Sequence, residues 1–514
     1  MTEAPVNDAS PPSRSVPTKA ASTSAAPQET YAADDPKRWL ALCVIAVAQL
    51  MVVLDASIVN IALPQAQHAL KISDADRQWV ITAYTLAFGG LLLLGGRIAD
   101  YVGRKRMFIV GLLGFAVASA IGGIAQNQIM LLGARGLQGA FAAILAPAAL
   151  SLITVTFTEP KERARAFGVY GAIAGGGAAM GLILGGVLTE YASWRWCLLV
   201  NIPIAVAAAL GAVVYVHESK AESDTTYDIP GAVLVTAGLV SLVYGFTEAA
   251  KPSLGWGSTT TLGFLALAVV LLAAFVVVEL RSSNPLLPMR ILLERNRAGS
   301  YLSSLLVFAG LFGMFLFLTY YFQLNLGYSP LKSGFAFLPF SLGIIVTAGA
   351  VSTVLPRTGP KPLMVLGAVM STVGLYLFTH ISQTSSWLVV VLPGELLMSI
   401  GLGLVFVPLS SLALVGVAEH DAGVASAVLN TSQQIGGSLG TALLNTLFAS
   451  SVASYLTSHP ASSQAQGAKL QLLASIHGYH VAFAVGVGLL AAAAVVIVVV
   501  INAKRDDLPA QAAA

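Results

Sequence analysis

Gly96-Arg97-Ile98-Ala99-Asp100-Tyr101-Val102-Gly103-Arg104-Lys105-Arg106 is a short charged hinge set between two long apolar runs. A connection of so few residues joins two antiparallel helices at one face of a bilayer. Its four cations, Arg97, Arg104, Lys105 and Arg106, assign that face to the cytoplasm, where Lys and Arg accumulate. The apolar runs on either side set the reading of everything else.

The chain has 514 residues, 56% hydrophobic and 10% charged, with mean hydropathy +0.80, against roughly 25% charged in an average soluble domain. These values describe an integral membrane protein, in contact with the lipid bilayer along most of its length. Apolar stretches of ~20 residues recur, each enough to cross a ~30 Å hydrocarbon core as a helix. Strands of a transmembrane barrel alternate in ~10-residue segments, a pattern this chain lacks. A net charge of +3 with no basic domain excludes nucleic acid as a partner. Cys43 and Cys197 fall near opposite membrane faces, so two free thiols are expected.

Fourteen spans are expected, near residues 39–63, 79–99, 107–126, 131–156, 166–189, 196–216, 230–248, 260–280, 299–322, 334–354, 362–381, 387–415, 423–450 and 479–502. An even number places both termini on one side. Twenty Lys and Arg fall on that side and six on the other, with Arg135 inside a span, so both termini are read as cytoplasmic. The organisation is all-α: a disordered tail (1–36), a six-helix bundle (37–217), a linker with two additional helices (218–297), a second six-helix bundle (298–505) and a short tail (506–514). Pro356-Arg357-Thr358-Gly359-Pro360-Lys361 reads as a worn second copy of the charged hinge, as expected of repeated bundles.

An ionised side chain at the bilayer centre costs ~2.5–3.5 kcal/mol even on the mildest scale, so each intramembrane charge calls for a reason. Asp55 lies past the middle of the first span. Burial favours the neutral acid, so the group can trade a proton for a cation, or it can serve as a hydrogen-bonding acid at a helix contact. Arg135 opens the fourth span with Gln138 and Gly139 on the same face. It either couples to a carboxylate in a proton relay or clamps carbonyls between helices. Glu395, beside Pro393 and Gly394 in the twelfth span, is either a second proton or cation site or an interfacial acid that snorkels.

Gly177, Gly181, Gly185 and Gly186 in the fifth span form a lattice of small residues for close, sliding helix contact. In the thirteenth span Asn430 and Gln434 share a face and either line a substrate path or hold helices together. Tyr84 and Gln138 are further candidates for lining a cavity, Tyr84 by stacking on a hydrophobic cation. Trp39, Trp79, Trp194, Trp196 and Trp256 mark span ends. The sequence carries no metal cluster, nucleotide-binding loop or nucleophile triad, which argues against an enzyme and against a cofactor and leaves an ion gradient as the energy source.

Leu54-Asp55 through Asn60 to Pro64, the Gly96 to Arg106 loop, Arg135 to Gly139, and Trp194-Arg195-Trp196 followed by Asn201 and Pro203 together resemble the major facilitator superfamily, in its fourteen-helix drug:proton antiporter branch (EmrB/QacA-like). The likeness runs from Lys37 to Arg505. It implies two six-helix bundles with two additional central helices. The implied function is proton-coupled efflux of a small hydrophobic, cationic or amphipathic drug or antibiotic by alternating access. The alternative is a narrow-range exporter of one metabolite or antibiotic, of the self-resistance type.

The resemblance further implies a monomer in the plasma membrane, proton or cation handling at Asp55 and coupling at Arg135. For Asp100, in the loop with Gly96, Gly103, Arg104, Lys105 and Arg106, it implies a role in holding the inward-closed arrangement. A dock for Asp100 on the positive end of the thirteenth helix, near Ala422 to Ala425, would be worth ~0.3–2 kcal/mol. The branch usually has Gly-Pro in the fifth helix where this chain has Gly181-Leu182, so any kink there comes from glycines alone.

Overall fold

A computed structural model describes residues 37–220, 228–251, 253–282, 285–417, 422–460 and 464–505. Both expected tails, and residues 221–227 of the linker, lie outside the described residues. Among the described residues, fourteen helices are long and apolar enough to cross a membrane. They are α1 (Lys37–Leu70), α2 (Trp79–Val102), α3 (Arg104–Gly123), α4 (Gln128–Thr156), α5 (Lys161–Tyr191), α6 (Trp196–Tyr215) and α7 (Ile229–Ala249). There follow α8 (Thr259–Arg281), α9 (Arg295–Asn325), α10 (Pro330–Thr358), α11 (Pro360–His380), α12 (Trp387–Leu414), α13 (Gly423–Ser458) and α14 (Gln466–Val499).

The helices outrun the apolar runs that announced them. The last begins at Gln466 rather than near 479, because the polar turn around Lys469 and Gln471 is helix-compatible yet too wet to register as membrane. Starts are marked by local chemistry. Asn127 accepts from the Met130 amide (2.9 Å), Asp228 from Gly231 (2.8 Å) and Ser258 from Thr261 (3.1 Å), each satisfying an orphan donor. The hinge collapses to one residue: Gly103, at φ 129°, ends α2 and begins α3, and Gly359, at φ 77°, does the same between α10 and α11. The second-copy reading of the Pro356 to Lys361 loop therefore has a backbone counterpart. The glycines of α5 introduce no break in the helix.

Packing repeats with an offset of eight helices. α1 packs on α5 and α6, and α9 on α13 and α14; α4 packs on α2 and α3, and α12 on α10 and α11. The two sets meet along two seams, α2 with α13 and α5 with α10. α7 and α8 pack on each other, and α7 lies against both α2 and α13. Here Trp79 donates to Thr247 at 2.9 Å, the Gln78 amide oxygen accepts from the same hydroxyl at 2.9 Å, and Thr446 donates to the Phe246 carbonyl at 2.8 Å.

Toward the face opposite the termini one apolar core runs through both sets, joining Ile58, Ile61 and Leu63 to Phe317, Phe322 and Phe337. Toward the terminal face a separate core of Ile45, Met51, Phe108, Phe115 and Phe157 belongs to the first set. Ala427 of α13 packs against this core from the second set.

Candidate functional site

Five helices of the first set converge on Asp55, which is fully buried. From α4, Arg135 Nη1 approaches Asp55 Oδ2 at 2.5 Å and Gln138 Nε2 donates to Oδ1 at 2.9 Å. From the start of α6, Asn201 Nδ2 donates to the same Oδ1 at 2.7 Å, while Ser119 of α3 accepts from Gln138 at 2.7 Å and from Asn201 at 3.3 Å. α2 supplies the Val80 carbonyl, which accepts from Arg135 Nε at 2.9 Å, and the Tyr84 ring, 4.5 Å from the guanidinium carbon.

This pairing places one charge of each sign in a dry site and surrounds them with donors and acceptors. Those hydrogen bonds offset a desolvation cost of several kcal/mol per ion. The two roles weighed for Arg135 are combined, since it holds both a carboxylate and a carbonyl. Tyr84 and Gln138, expected to line a cavity, are instead fully buried in this network. The reason is stoichiometric: a buried ion pair needs more partners than the two ions supply. Asn201 Oδ1 and the Tyr84 hydroxyl find no protein partner.

Glu395 stands apart, on α12 in the second set. It is 0% exposed and neither carboxylate oxygen has a protein partner, which removes the snorkelling alternative. The helix widens into a π turn at Trp387–Val391 just before it, and Gly394 lets Phe378 and the Gly374 carbonyl of α11 close over this end. An acid held this way is neither exposed to headgroups nor neutralised by a cation.

The charged loop is tied to its neighbours at several points, Arg97 reaching the Pro285 carbonyl of the 218–297 connection at 3.5 Å. Asp100 Oδ1 accepts from Arg104 Nε at 2.8 Å, while residues 418–421, directly before the end of α13 expected to dock it, lie outside the described residues. One helical turn of separation brings the Asp100 and Arg104 side chains within reach. Glu218, passed over in the sequence, accepts from the Lys105 and Arg106 amides at 3.1 and 3.2 Å and lies 3.6 Å from the Arg106 side chain. Gly103 is obligatory there, because a β-carbon would meet the Glu218 carboxylate at 2.8 Å.

The glycines of α5 serve the expected close approach. Gly177 faces Leu50 and Val53, Gly181 faces Leu54 and Ser57, and Gly185 faces Ile58, all on α1, while Gly186 abuts Pro330 and Leu331 of α10. On α13, Gln434 packs on Gly89 of α2 and so joins the two sets, whereas Asn430 is exposed and donates only to the Ser426 carbonyl at 3.2 Å. Cys43 is exposed and Cys197 buried, both as free thiols.

Arg77 closes the connection between α1 and α2. It is 2% exposed, wedged across the α2–α13 seam: it donates to Asn445 Oδ1 at 3.0 Å and lies 4.1 Å from the Tyr320 ring centre and 4.6 Å from that of Phe448. Only its position directly before the Gln78-Trp79 helix start hinted at burial. Asn201 carried a signal, as an amide in the first turn of an apolar helix; Ser119 carried none.

A family model described as Major Facilitator Superfamily matches residues 45–441. The puromycin resistance protein pur8 of Streptomyces alboniger is 50% identical over 476 residues, covering 91% of this chain and 93% of the relative. The cephamycin export protein CmcT of Amycolatopsis lactamdurans is 40% identical, covering 79% and 84%. Among solved structures, a bacterial homolog of the human lysosomal transporter Spinster, inward-facing and unoccupied, aligns with TM-score 0.64 at 15% identity over 92% of this chain and 99% of that one.

Proposed function

Because the chain belongs to the major facilitator superfamily, we propose that it exports a small hydrophobic or amphipathic antibiotic-like molecule in exchange for protons. It acts as a monomer in the plasma membrane, with both termini cytoplasmic. Residues 37–217 and 298–505 are the two moving bodies, and 218–297 connects them. Relatives named for puromycin resistance and cephamycin export support efflux as the direction of transport. A narrow range of one antibiotic fits the same relatives, and a substrate screen in cells lacking the gene separates it from a multidrug pump.

The observation that carries coupling is the Asp55–Arg135 pair and its five-helix anchorage. Protonation of Asp55 removes the charge that holds Arg135, and with it the reason for Gln138 and Asn201 to converge. A proton on one oxygen thereby loosens α1 from α4 and α6. The cations that cluster toward the terminal face agree with a cytoplasmic assignment, and the core that joins Ile58, Ile61 and Leu63 to Phe317, Phe322 and Phe337 supports a resting state closed to the outside. Substrate enters from the cytoplasmic side, and the bundles then rock to open outward. Glu395, a buried acid with no counter-ion, is a second place for a proton.

Drug-driven proton flux in proteoliposomes tests this reading. Asp55→Asn is expected to abolish it; an Asp55→Asn protein that exchanges drug for protons at the parental rate refutes the assignment.

A further inference from the structure

Two acids meet at the terminal-face ends of the additional helices, outside the Asp55 network. Asp228 immediately precedes α7, and its Oδ1 accepts from the Gly231 amide at 2.8 Å. Glu279 lies in the last turn of α8, and its Oε2 accepts from the Leu287 amide at 2.9 Å. Both are buried, at 6% and 3% exposure, and their remaining oxygens, Asp228 Oδ2 and Glu279 Oε1, have no partner. Those two oxygens converge over Gly231, where a β-carbon would lie 2.9 and 2.8 Å from them. The two carboxyl groups stand within hydrogen-bond reach of each other.

Two carboxylates cannot hydrogen bond to one another, and buried like charges in contact do not both ionise. The charged groups of the neighbouring elements leave the free oxygens without a partner. Arg97 of α2 reaches the Pro285 carbonyl at 3.5 Å, Asp100 of α2 pairs with Arg104, and Arg281 of α8 and Arg290 of the connection are exposed. α13, which also packs on α7, has no Asp, Glu, Lys, Arg or His between Gly423 and Ser458.

We propose that Asp228 and Glu279 hold a single proton between them, a binding site on the additional helices that fastens the connection to the second set. Glu279 is the acid, because the last turn of a helix disfavours an anion, and Asp228 is the carboxylate, because a helix start favours one. Glu279 Oε1 then donates to Asp228 Oδ2, and every oxygen of the pair is used. Release of the proton to water leaves two buried anions in contact, and their repulsion draws Glu279 away from Leu287. That amide is one tie on a segment held by both bundles: Arg97 binds it at Pro285, and Arg297 of α9 binds it at the Ile291 and Arg290 carbonyls, at 3.0 and 3.3 Å. The pair thus makes the tether between α8 and α9 responsive to pH at the terminal face. It stands whatever the substrate and the direction of transport.

Hydrogen exchange at the Leu287 amide and infrared spectroscopy, both on the full chain in detergent, test it. Asp228→Asn is the informative variant, since Asn caps a helix as well as Asp does and its side-chain amide donates to Glu279 without a shared proton. The fastened form carries the extra proton, so the tie holds at low pH and is lost as pH rises. In the parent, Leu287 protection, scaled for intrinsic exchange, is expected to fall several-fold over that rise; in Asp228→Asn it is expected to stay level. Equal pH dependence in the two proteins, or protection lost on chelating divalent cations at fixed pH, overturns the proposal. In the infrared, Asp228→Asn and Glu279→Gln are each expected to remove the same protonated-carboxyl band, and the double variant no further one. Two separate bands, or none removed, overturn the shared proton.

Discussion

Arg77 and Asn445, 368 positions apart in sequence, share a 3.0 Å hydrogen bond that joins the two halves of the molecule at its outer end. Asn445 in turn donates to the Asp74 carbonyl at 2.8 Å, and Gln67 of α1 accepts from the Tyr320 hydroxyl, so the Arg77 cation sits inside a lattice of cross-bundle contacts. Such a lattice must break for an outward opening to form.

Arg77→Ala tests its weight. A hydrogen bond from a charged group contributes ~1.5–3 kcal/mol and a cation–π contact ~0.5–2. Loss of these contacts is expected to shift the closed-to-open ratio by ~2 kcal/mol, roughly 30-fold. Spin labels at Ser73→Cys and Ser454→Cys, both at outer helix ends, should then show a longer distance population absent from the parent. An unchanged distribution excludes the latch.

The buried pair predicts non-additivity. Asp55→Asn strands Arg135 and Arg135→Gln strands Asp55, each at a cost of ~3–5 kcal/mol, whereas the double variant leaves no uncompensated charge. Thermal denaturation in detergent should place the double variant well above the sum of the single losses. Strict additivity would mean that the 2.5 Å contact carries no coupling energy.

Glycines of different context should respond oppositely. Gly103→Ala forces an L residue to φ 129° against Glu218 and is expected to cost at least ~1–3 kcal/mol. Gly136→Ala, with open space at its β position on α4, should be neutral or stabilise by up to ~1 kcal/mol through helix propensity. Melting curves that rank the two the other way contradict the backbone account.

For Glu395, an amide of equal size keeps the packing and removes the ionisable group. Glu395→Gln should change stability by less than ~1 kcal/mol, because no hydrogen bond is lost. It should reduce drug-driven proton flux, with partial recovery in Glu395→Asp. Full flux in Glu395→Gln would confine proton traffic to Asp55.

Much of this site was legible. Asp55 and Arg135 declare themselves because a charge in a 20-residue apolar run is costly wherever it lies, and two opposite charges in one bundle attract. Their supporting polar groups were harder to place. Gln138 is a turn from Arg135 and so was found, but as a cavity residue; Ser119 is one serine among many, and only a network in three dimensions gives it a partner. Arg77 was not legible for the opposite reason, since a cation in a connection looks solvated until the other bundle closes over it.

Hydropathy, which is local and additive, determined the number of helices and picked out the intramembrane charges. Tertiary structure alone decided which charges are partnered, which helices meet along the seams and where α7 lies. Those outcomes depend on contacts between segments hundreds of residues apart, and lipid is as apolar as the helices, so hydrophobicity says nothing about which helix faces choose one another.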